Sequence, residues 1–382
     1  MLPVGIDALR FYVPSFSIRL ADLAKARNID PQKYHIGLGQ ETMAILPPDE
    51  DIVTMGANAA RFLTETDKNK ISLLLFATES SIDQSKAAGL YVHRLLELPS
   101  TCRVVEIKQA CYSATCALQL AVSYLRDRPD EKVLLIASDN ARYGLHTPGE
   151  PTQGCGAAAI LLSANPRLVT VDPEQGIYAE DTMDFWRPNY MSEALVDGKY
   201  STKVYIHTLI ETWKEYAQRS QRTFADHARF CYHLPFTRMA IKAHERLAKY
   251  VGASLSENLI SSGLTFAKQT GNAYTAALYI GLTSLLENDT EDLSEQRVGL
   301  FSYGSGSVGE FFSAKIQKNY SIYTNKDFHT KILSSREYLS CKEYEKFFSY
   351  QLPVDGSKHL TPSISSHGFR LLGIDGHKRL YG

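Results

Sequence analysis

The chain has 382 residues, 44% of them hydrophobic and 22% charged, with a formal net charge of −1. That charge balance argues against nucleic acid or an anionic membrane surface as partner, and the length suggests about two to three domains with a large buried core. The six cysteines, Cys102, Cys111, Cys116, Cys155, Cys231 and Cys341, include no CxxC pair, which argues against a structural zinc site. Scattered cysteines and an N-terminus without a basic region followed by an apolar one read as a cytoplasmic protein with reduced thiols.

Residues 4–14 read as a strand and 20–27 as a short helix before Asp30-Pro31. The stretch 51–64 reads as helical. Ile71 to Thr78 is an apolar, strand-sized run, far too short to span a bilayer. It ends at Glu79, and 85–98 follows as an amphipathic helix stopped by Pro99. Residues 104–107 form a β-branched run that gives way to Cys111. From Cys111 to Leu125 there is no charged residue, and Ala114, Leu118, Ala121, Val122 and Leu125 recur at helical spacing, with Cys116 and Leu120 making other faces apolar. A helix apolar nearly all round is normally buried. Further buried strands are expected at 132–138 and 157–163. Alternating strands and helices argue for an α/β fold with buried sheets.

The second half repeats the first. Gly154-Cys155-Gly156-Ala157 through Ala164 matches Gly304-Ser305-Gly306-Ser307 through Ala314, and Thr115-Cys116-Ala117-Leu118 matches Thr275-Ala276-Ala277-Leu278. Glu79 and His233 each end a strand. Three matches in one order, at offsets of 150 to 160, indicate an internal duplication that places strand ends of both halves around one cleft. Outside the repeat lie 176–206, rich in Tyr, Asp and Pro, and 317–382, with one helical piece over 336–350 and a Pro/Ser/Gly-rich tail.

Cys111, Glu79 and His233 fall at three different strand ends, the pattern of nucleophile and base that covalent catalysis requires. The positive end of the following helix favours a thiolate and lowers a thiol from its ordinary pKa of roughly 8.5. A small apolar core cysteine is the plainer reading of Cys111, and a satisfied structural histidine that of His233. A carboxylate directly after an apolar run is costly to bury unless paired or functional. Its other reading is a helix cap. Arg238 and Lys242 stand at i, i+4 spacing, able to hold a phosphate-bearing ligand or simply to form a solvated basic face.

These residues lie in strings that resemble bacterial 3-hydroxy-3-methylglutaryl-CoA synthases of the thiolase superfamily: Ala77-Thr78-Glu79-Ser80, Ala110-Cys111-Tyr112, Ala141-Arg142-Tyr143-Gly144, Gly149 to Gly154, Asp184-Phe185-Trp186-Arg187-Pro188, His233-Leu234-Pro235-Phe236-Thr237, Gly271-Asn272-Ala273-Tyr274-Thr275 and Ser302 to Ser307. The resemblance spans residues 5 to 307 and resumes at 377–381. It implies a duplicated, five-layer αβαβα thiolase-like fold, usually a homodimer. The halves would be 1–165, with Glu79 and Cys111, and 166–316, with a family-specific insert, His233 and Asn272, while 317–382 completes the second half.

By the same resemblance Cys111 carries an acetyl group, Glu79 removes a methyl proton and His233 is the general acid beside acetoacetyl-CoA. Asn272 helps hold that thioester, and the Cys111 amide and the Ser307 region stabilise oxyanions. Asp30, Tyr143, Thr152, Ser201 and Lys242 match substrate-binding positions. The implied reaction joins acetyl-CoA to acetoacetyl-CoA in the mevalonate route to isoprenoids, with no metal or further cofactor. A decarboxylative ketoacyl synthase of the same superfamily is disfavoured by Glu79. A polyketide β-branching synthase with acyl-carrier-protein donors remains the alternative, and a non-catalytic relative is a third reading.

Overall fold

The apolar runs become strands of one mixed sheet in the computed structural model, which describes residues 2–366 and 368–382. The strands are β1 (Val4–Tyr12), β2 (Ile71–Ala77), β3 (Arg103–Ile107), β4 (Lys132–Ala141), β5 (Gly154–Ala164), β6 (Val169–Ala179), β7 (Arg229–Tyr232), β8 (Arg297–Gly304) and β9 (Val308–Ile316). Their spatial order is β7-β8-β9-β6-β1-β5-β4-β2-β3. The duplication is visible in the pairing. In the first half β2 runs parallel to β4, and β4-β5-β1 are antiparallel. In the second, β7 runs parallel to β8, and β8-β9-β6 are antiparallel.

The halves meet at a short seam where Gly5 faces Thr170 and Ile6 faces Val169. A side chain at Gly5 would put its Cβ 2.0 Å from the Val169 carbonyl oxygen, so only glycine allows this approach.

The main helices are α1 (Ile52–Ala59), α2 (Gly89–Leu95), α3 (Ser113–Arg126), α4 (Gly198–Ser220), α5 (Thr237–Val251), α6 (Ala277–Asn288) and α7 (Cys341–Phe348). Helices α1 and α2 cover the first half, and α4 and α5 the second. Between the halves α3 and α6 face each other, with the Thr115 and Tyr279 hydroxyls 2.9 Å apart. This is the expected αβαβα layering. The segment 317–382 runs back over the first half as well as the second: residues 337–338 pair with 16–17, the Tyr381 hydroxyl donates to Asp51 and the Asn58 side chain holds Phe369 at the start of α1 and its far end.

Several expected elements are trimmed by local capping. The helix expected over 51–64 stops at Ala59, and Thr64 caps a separate turn. The helix expected over 85–98 starts only at Gly89, because Asp83 takes the Ser85 and Lys86 N–H groups and Glu106 takes that of Ala88. The piece expected over 336–350 begins at Cys341, where Ser340 and Glu343 form a capping box.

Two burial expectations fail. β3 is an edge strand, not a buried one, and Val105 on it is 48% exposed. Helix α3 buries the sheet-facing side only, leaving Leu120 54% exposed. The repeat register also shifts at this helix. Ala110 and Tyr274 both have left-handed φ angles, 43° and 44°, and each stands three residues before its helix, so α3 and α6 align at an offset of 164 rather than 160.

Three buried histidines set an acid limit on stability. Burial holds His227 and His244 at about 4 and His233 at about 3, against an ordinary value of 6.5. The unfolded chain therefore binds protons that the folded chain refuses, and stability falls as pH is lowered through this range. Melting temperature is expected to be flat above pH 6.5 in respect of these groups and to fall between pH 6.5 and 4. A melting temperature unchanged across that window would show that the imidazoles are not buried as described.

Candidate active site

Glu79 follows β2 directly, and its position is set by Asp139 at the end of neighbouring β4. Asp139 is fully buried. One carboxylate oxygen accepts from the Thr78 hydroxyl at 2.7 Å and from the Glu79 and Ser80 N–H groups at 2.9 and 3.0 Å. The other accepts from the Thr275 N–H at 3.1 Å and its hydroxyl at 2.5 Å. One carboxylate thus fastens the base-bearing turn of the first half to the helix entry of the second. The Arg187 guanidinium donates to the Glu79 carbonyl from the other side. Burial, reinforced by the Asp139 charge, pushes the Glu79 carboxyl well above the usual carboxylate range. Glu79 caps no helix, since α2 begins ten residues later.

Cys111 sits on the tight turn after β3, where Ala110 takes its left-handed φ. Its Sγ lies 3.9 Å from Glu79 Oε1. The expected lowering of the thiol is overturned. Burial raises the Cys111 thiol well above its ordinary value, and the Glu79 and Asp139 carboxylates add to the rise. The helix end contributes about half a unit charge, which loses to desolvation and two nearby acids. In the free site burial and these acids favour the thiol over the thiolate.

The second half supplies the facing wall. The Asn272 amide donates to the Tyr143 hydroxyl at 3.1 Å and accepts from the Tyr274 N–H at 2.8 Å. The Tyr143 ring packs edge-on against Phe185 and Tyr274, with centroids 5.9 and 6.1 Å away. His233 leaves β7 with its N–H on the Phe301 carbonyl at 2.8 Å, while its own carbonyl accepts from the Tyr205 hydroxyl at 2.8 Å. Burial keeps its imidazole neutral.

Beneath the β8–β9 turn lies Asp184, fully buried, which accepts from the Tyr303 hydroxyl at 2.7 Å, the Gly306 N–H at 2.9 Å and the Ser201 hydroxyl at 3.0 Å. Gly304 lets this turn approach the nucleophile: a Cβ there would lie 2.6 Å from the Gln109 carbonyl oxygen and 2.7 Å from Tyr112. The Ser307 amide is already committed to the Glu180 carbonyl at 2.6 Å, so the expected oxyanion donor there is not this N–H. What is left is the Ser307 hydroxyl, buried and without a partner.

A cavity of about 1090 Å³ opens on Glu79, lined also by Ala110, Phe185, Arg187, Ser305 and Gly306. Among the described residues, Glu79 is the one expected site residue in its lining; Cys111, Tyr143, His233, Asn272 and Ser307 lie outside it, as do Asp30, Thr152, Ser201 and Lys242. Asp30 is an exposed cap whose carboxylate takes the Gln32 N–H at 3.0 Å. Thr152 donates to the Gly149 carbonyl at 2.8 Å, Ser201 is held by Asp184, and Lys242 projects from α5 with its ammonium 6.0 Å from the Phe236 ring. Asp139 and Asp184 are the residues that the reading of the sequence gave no role. Asp139 had the same signal as Glu79, a carboxylate closing an apolar run. Among the described residues, no group of three His, Cys, Asp or Glu side chains is placed to hold a metal ion.

Known proteins resemble this chain over nearly its whole length. The profile for the hydroxymethylglutaryl-coenzyme A synthase N-terminal region matches residues 2–167, and that for the C-terminal region matches 169–251 and 249–370. A hydroxymethylglutaryl-CoA synthase of Enterococcus faecalis is 42% identical over 93% of this chain and 94% of its own length. A polyketide-biosynthesis 3-hydroxy-3-methylglutaryl-ACP synthase of Bacillus subtilis is 34% identical over 91% of this chain and 88% of its own. A crystal structure of an HMG-CoA synthase complexed with CoA superposes with a TM-score of 0.95 at 39% identity, covering 100% of both chains. With both halves matched in order and its strands and helices in the thiolase-like arrangement, the chain belongs to the hydroxymethylglutaryl-CoA synthase family.

Proposed function

We propose that the protein condenses acetyl-CoA with acetoacetyl-CoA to give 3-hydroxy-3-methylglutaryl-CoA and CoA, as a step of the mevalonate route to isoprenoids. The observation that carries this reading is the half-buried Glu79–Cys111 pair, 3.9 Å apart, in a chain of this family. In the first step the Cys111 sulfur attacks the acetyl thioester, the thiol proton passes to the departing sulfur, and CoA leaves as its free thiol. Glu79 then takes a methyl proton from acetyl-Cys111. A carboxyl pushed upward by burial is a stronger base than a solvated one and suits this task near neutral pH. The resulting carbon attacks the ketone of acetoacetyl-CoA, and His233, neutral in the free site, gives the new alkoxide the proton on one ring nitrogen as its other nitrogen takes up the proton that Glu79 removed, so that it ends neutral. Water finally cleaves the Cys111 thioester. Asn272 and Tyr143 orient the second thioester, the Ser307 hydroxyl and the Cys111 amide face the oxyanions, and Asp30, Thr152, Ser201 and Lys242 meet the CoA part. The chemistry needs no cofactor beyond the thioesters themselves.

The test is loss of acetoacetyl-CoA that depends on acetyl-CoA. No such loss with folded protein overturns the reading. Faster transfer from an acetyl carrier protein than from acetyl-CoA moves the chain to the polyketide branch, against the higher identity to the CoA-named relative.

His233→Ala is expected to acetylate as the parent does but to condense more slowly by about 10²- to 10⁴-fold. Single-turnover assays starting from the acetyl-enzyme read this directly, and parent-like condensation assigns the proton donor elsewhere.

The working unit in this reading is a homodimer in the cytoplasm. The unpaired edge of β3, with Val105 and nearby Leu120 exposed, supports pairing with a second copy. The solution mass checks it. Unpaired cysteines accord with a reducing compartment, and among the described residues no helix is long and apolar enough to cross a membrane.

A further inference from the structure

We infer that Gln153 positions Tyr143 at the catalytic centre by tying it to the C-terminal helix α7, an inference that rests on the reaction proposed above. The Gln153 side chain is buried, 4% exposed. Its Oε1 accepts from the Tyr143 N–H at 2.8 Å, and its Nε2 donates to the Tyr344 hydroxyl oxygen on α7 at 2.8 Å. A backbone N–H can only donate, so the amide has one orientation, and both its ends are committed.

The relay continues into the site. The Tyr143 hydroxyl receives the Asn272 amide at 3.1 Å, and the Tyr143 ring packs on Phe185 and Tyr274. The Gln153 backbone also presses on Gly271, where a Cβ would lie 2.2 Å from the Gln153 carbonyl oxygen. Three segments distant in sequence thus meet at Gln153: residues 142–153, the second-half turn at 271–274, and α7 through Tyr344.

Helix α7 grips the same loop at two more points. Arg27 binds Glu150 at 2.7 and 2.9 Å and Glu345 of α7 at 2.7 Å. The Arg142 guanidinium donates to the Phe348 carbonyl at 3.0 Å and stacks over the Phe348 ring at 3.9 Å. Those contacts fix the ends of the loop. Gln153 takes hold of Tyr143 at its backbone N–H. The C-terminal segment is therefore part of how the site keeps its shape, although none of α7 reaches the Glu79 cavity.

The variants are Gln153→Leu, which removes both bonds, and Tyr344→Phe, which removes only the far one and touches no substrate. Acetyl-Cys111 formed from radiolabelled acetyl-CoA counts competent sites, and condensation is then expressed per acetylated site. Misplacing a wall of the site is expected to slow condensation in Gln153→Leu by about 10- to 100-fold. Tyr344→Phe should slow it in the same direction, and the double variant should be no worse than Gln153→Leu. In a Tyr143→Phe background the Gln153→Leu effect should shrink, because Gln153 acts through Tyr143. Deuterium uptake by the peptide covering 142–153 reads the tie without any chemistry and should be faster in both variants.

Parent-like condensation per site, or a loss equally large in the Tyr143→Phe background, overturns the inference even if the melting temperature falls. Parent-like deuterium uptake in Tyr344→Phe overturns it also, including the case where Gln153→Leu does not fold. If the parent takes up no acetyl group at all, the reaction assigned above fails, while deuterium uptake still decides whether Gln153 holds the loop.

Discussion

Cys111→Ala is expected to give a folded protein that takes up no acetyl group and turns over at less than about one-hundredth of the parent rate, since covalent catalysis does not survive loss of its nucleophile. The fold has little stake in this sulfur. Its one hydrogen bond is to Glu79, the residue is only partly buried, and the turn around it is fixed by backbone contacts and by the close approach of Gly304. Radiolabelled acetyl-CoA measures uptake, and acetoacetyl-CoA loss measures turnover. Turnover above that level in a clean preparation would remove Cys111 from the mechanism.

Glu79→Gln is expected to separate the two halves of the reaction. The bonds that hold this turn, to Asp139 and Arg187, use the backbone N–H and C=O of Glu79 rather than its carboxylate. Glutamine keeps the size and those bonds but cannot take a proton. Acetylation should survive, and it should become easier to ionise the thiol, because the Glu79 charge is one of the causes that hold Cys111 up. Acetyl-Cys111 should then accumulate to near stoichiometry and stall. Loss of a general base typically slows its step by about 10²- to 10⁴-fold. Exchange of the acetyl methyl protons with heavy water reads that step alone. Parent-like exchange in Glu79→Gln would assign proton removal to another group, and Asp139, fully buried beside it, would be the first to examine.

Much of this was legible in the chain. Apolar runs located the sheet strands of the first half, because burial acts with the period of the local backbone, whereas in the second half only the strand ending at His233 and the one matching 157–163 through the repeat were readable. The order of the matching strings disclosed the duplication, and the pairing pattern repeats it for four strands of each half, β3 having no counterpart among the described residues. Glu79 stood out because ending an apolar run on a charge carries a cost that function must offset. The same argument fits Asp139, which closes the run from Val133 to Ser138. Its double role needed the pairing of β2 with β4 and the arrival of Thr275 from the other half, neither of which is written in local sequence.

Other features were settled only by the assembled structure. Leu120 carries an apolar side chain at a helical position, yet no layer of this chain covers it. Periodicity says which residues share a face but not whether anything packs on that face. The state of Cys111 was misjudged for a related reason. A helix end is a local feature that sequence can announce, whereas desolvation and the charges of Glu79 and Asp139 depend on distances between strands far apart in the chain. Sequence by itself therefore determined the strands, the repeat and the three residues at strand ends. Only the tertiary structure decided that the Glu79 and Cys111 ends meet, which carboxylate fastens the Glu79 turn and which way burial moves their protons, because electrostatic energies follow separation in space and exposure to water rather than position along the chain.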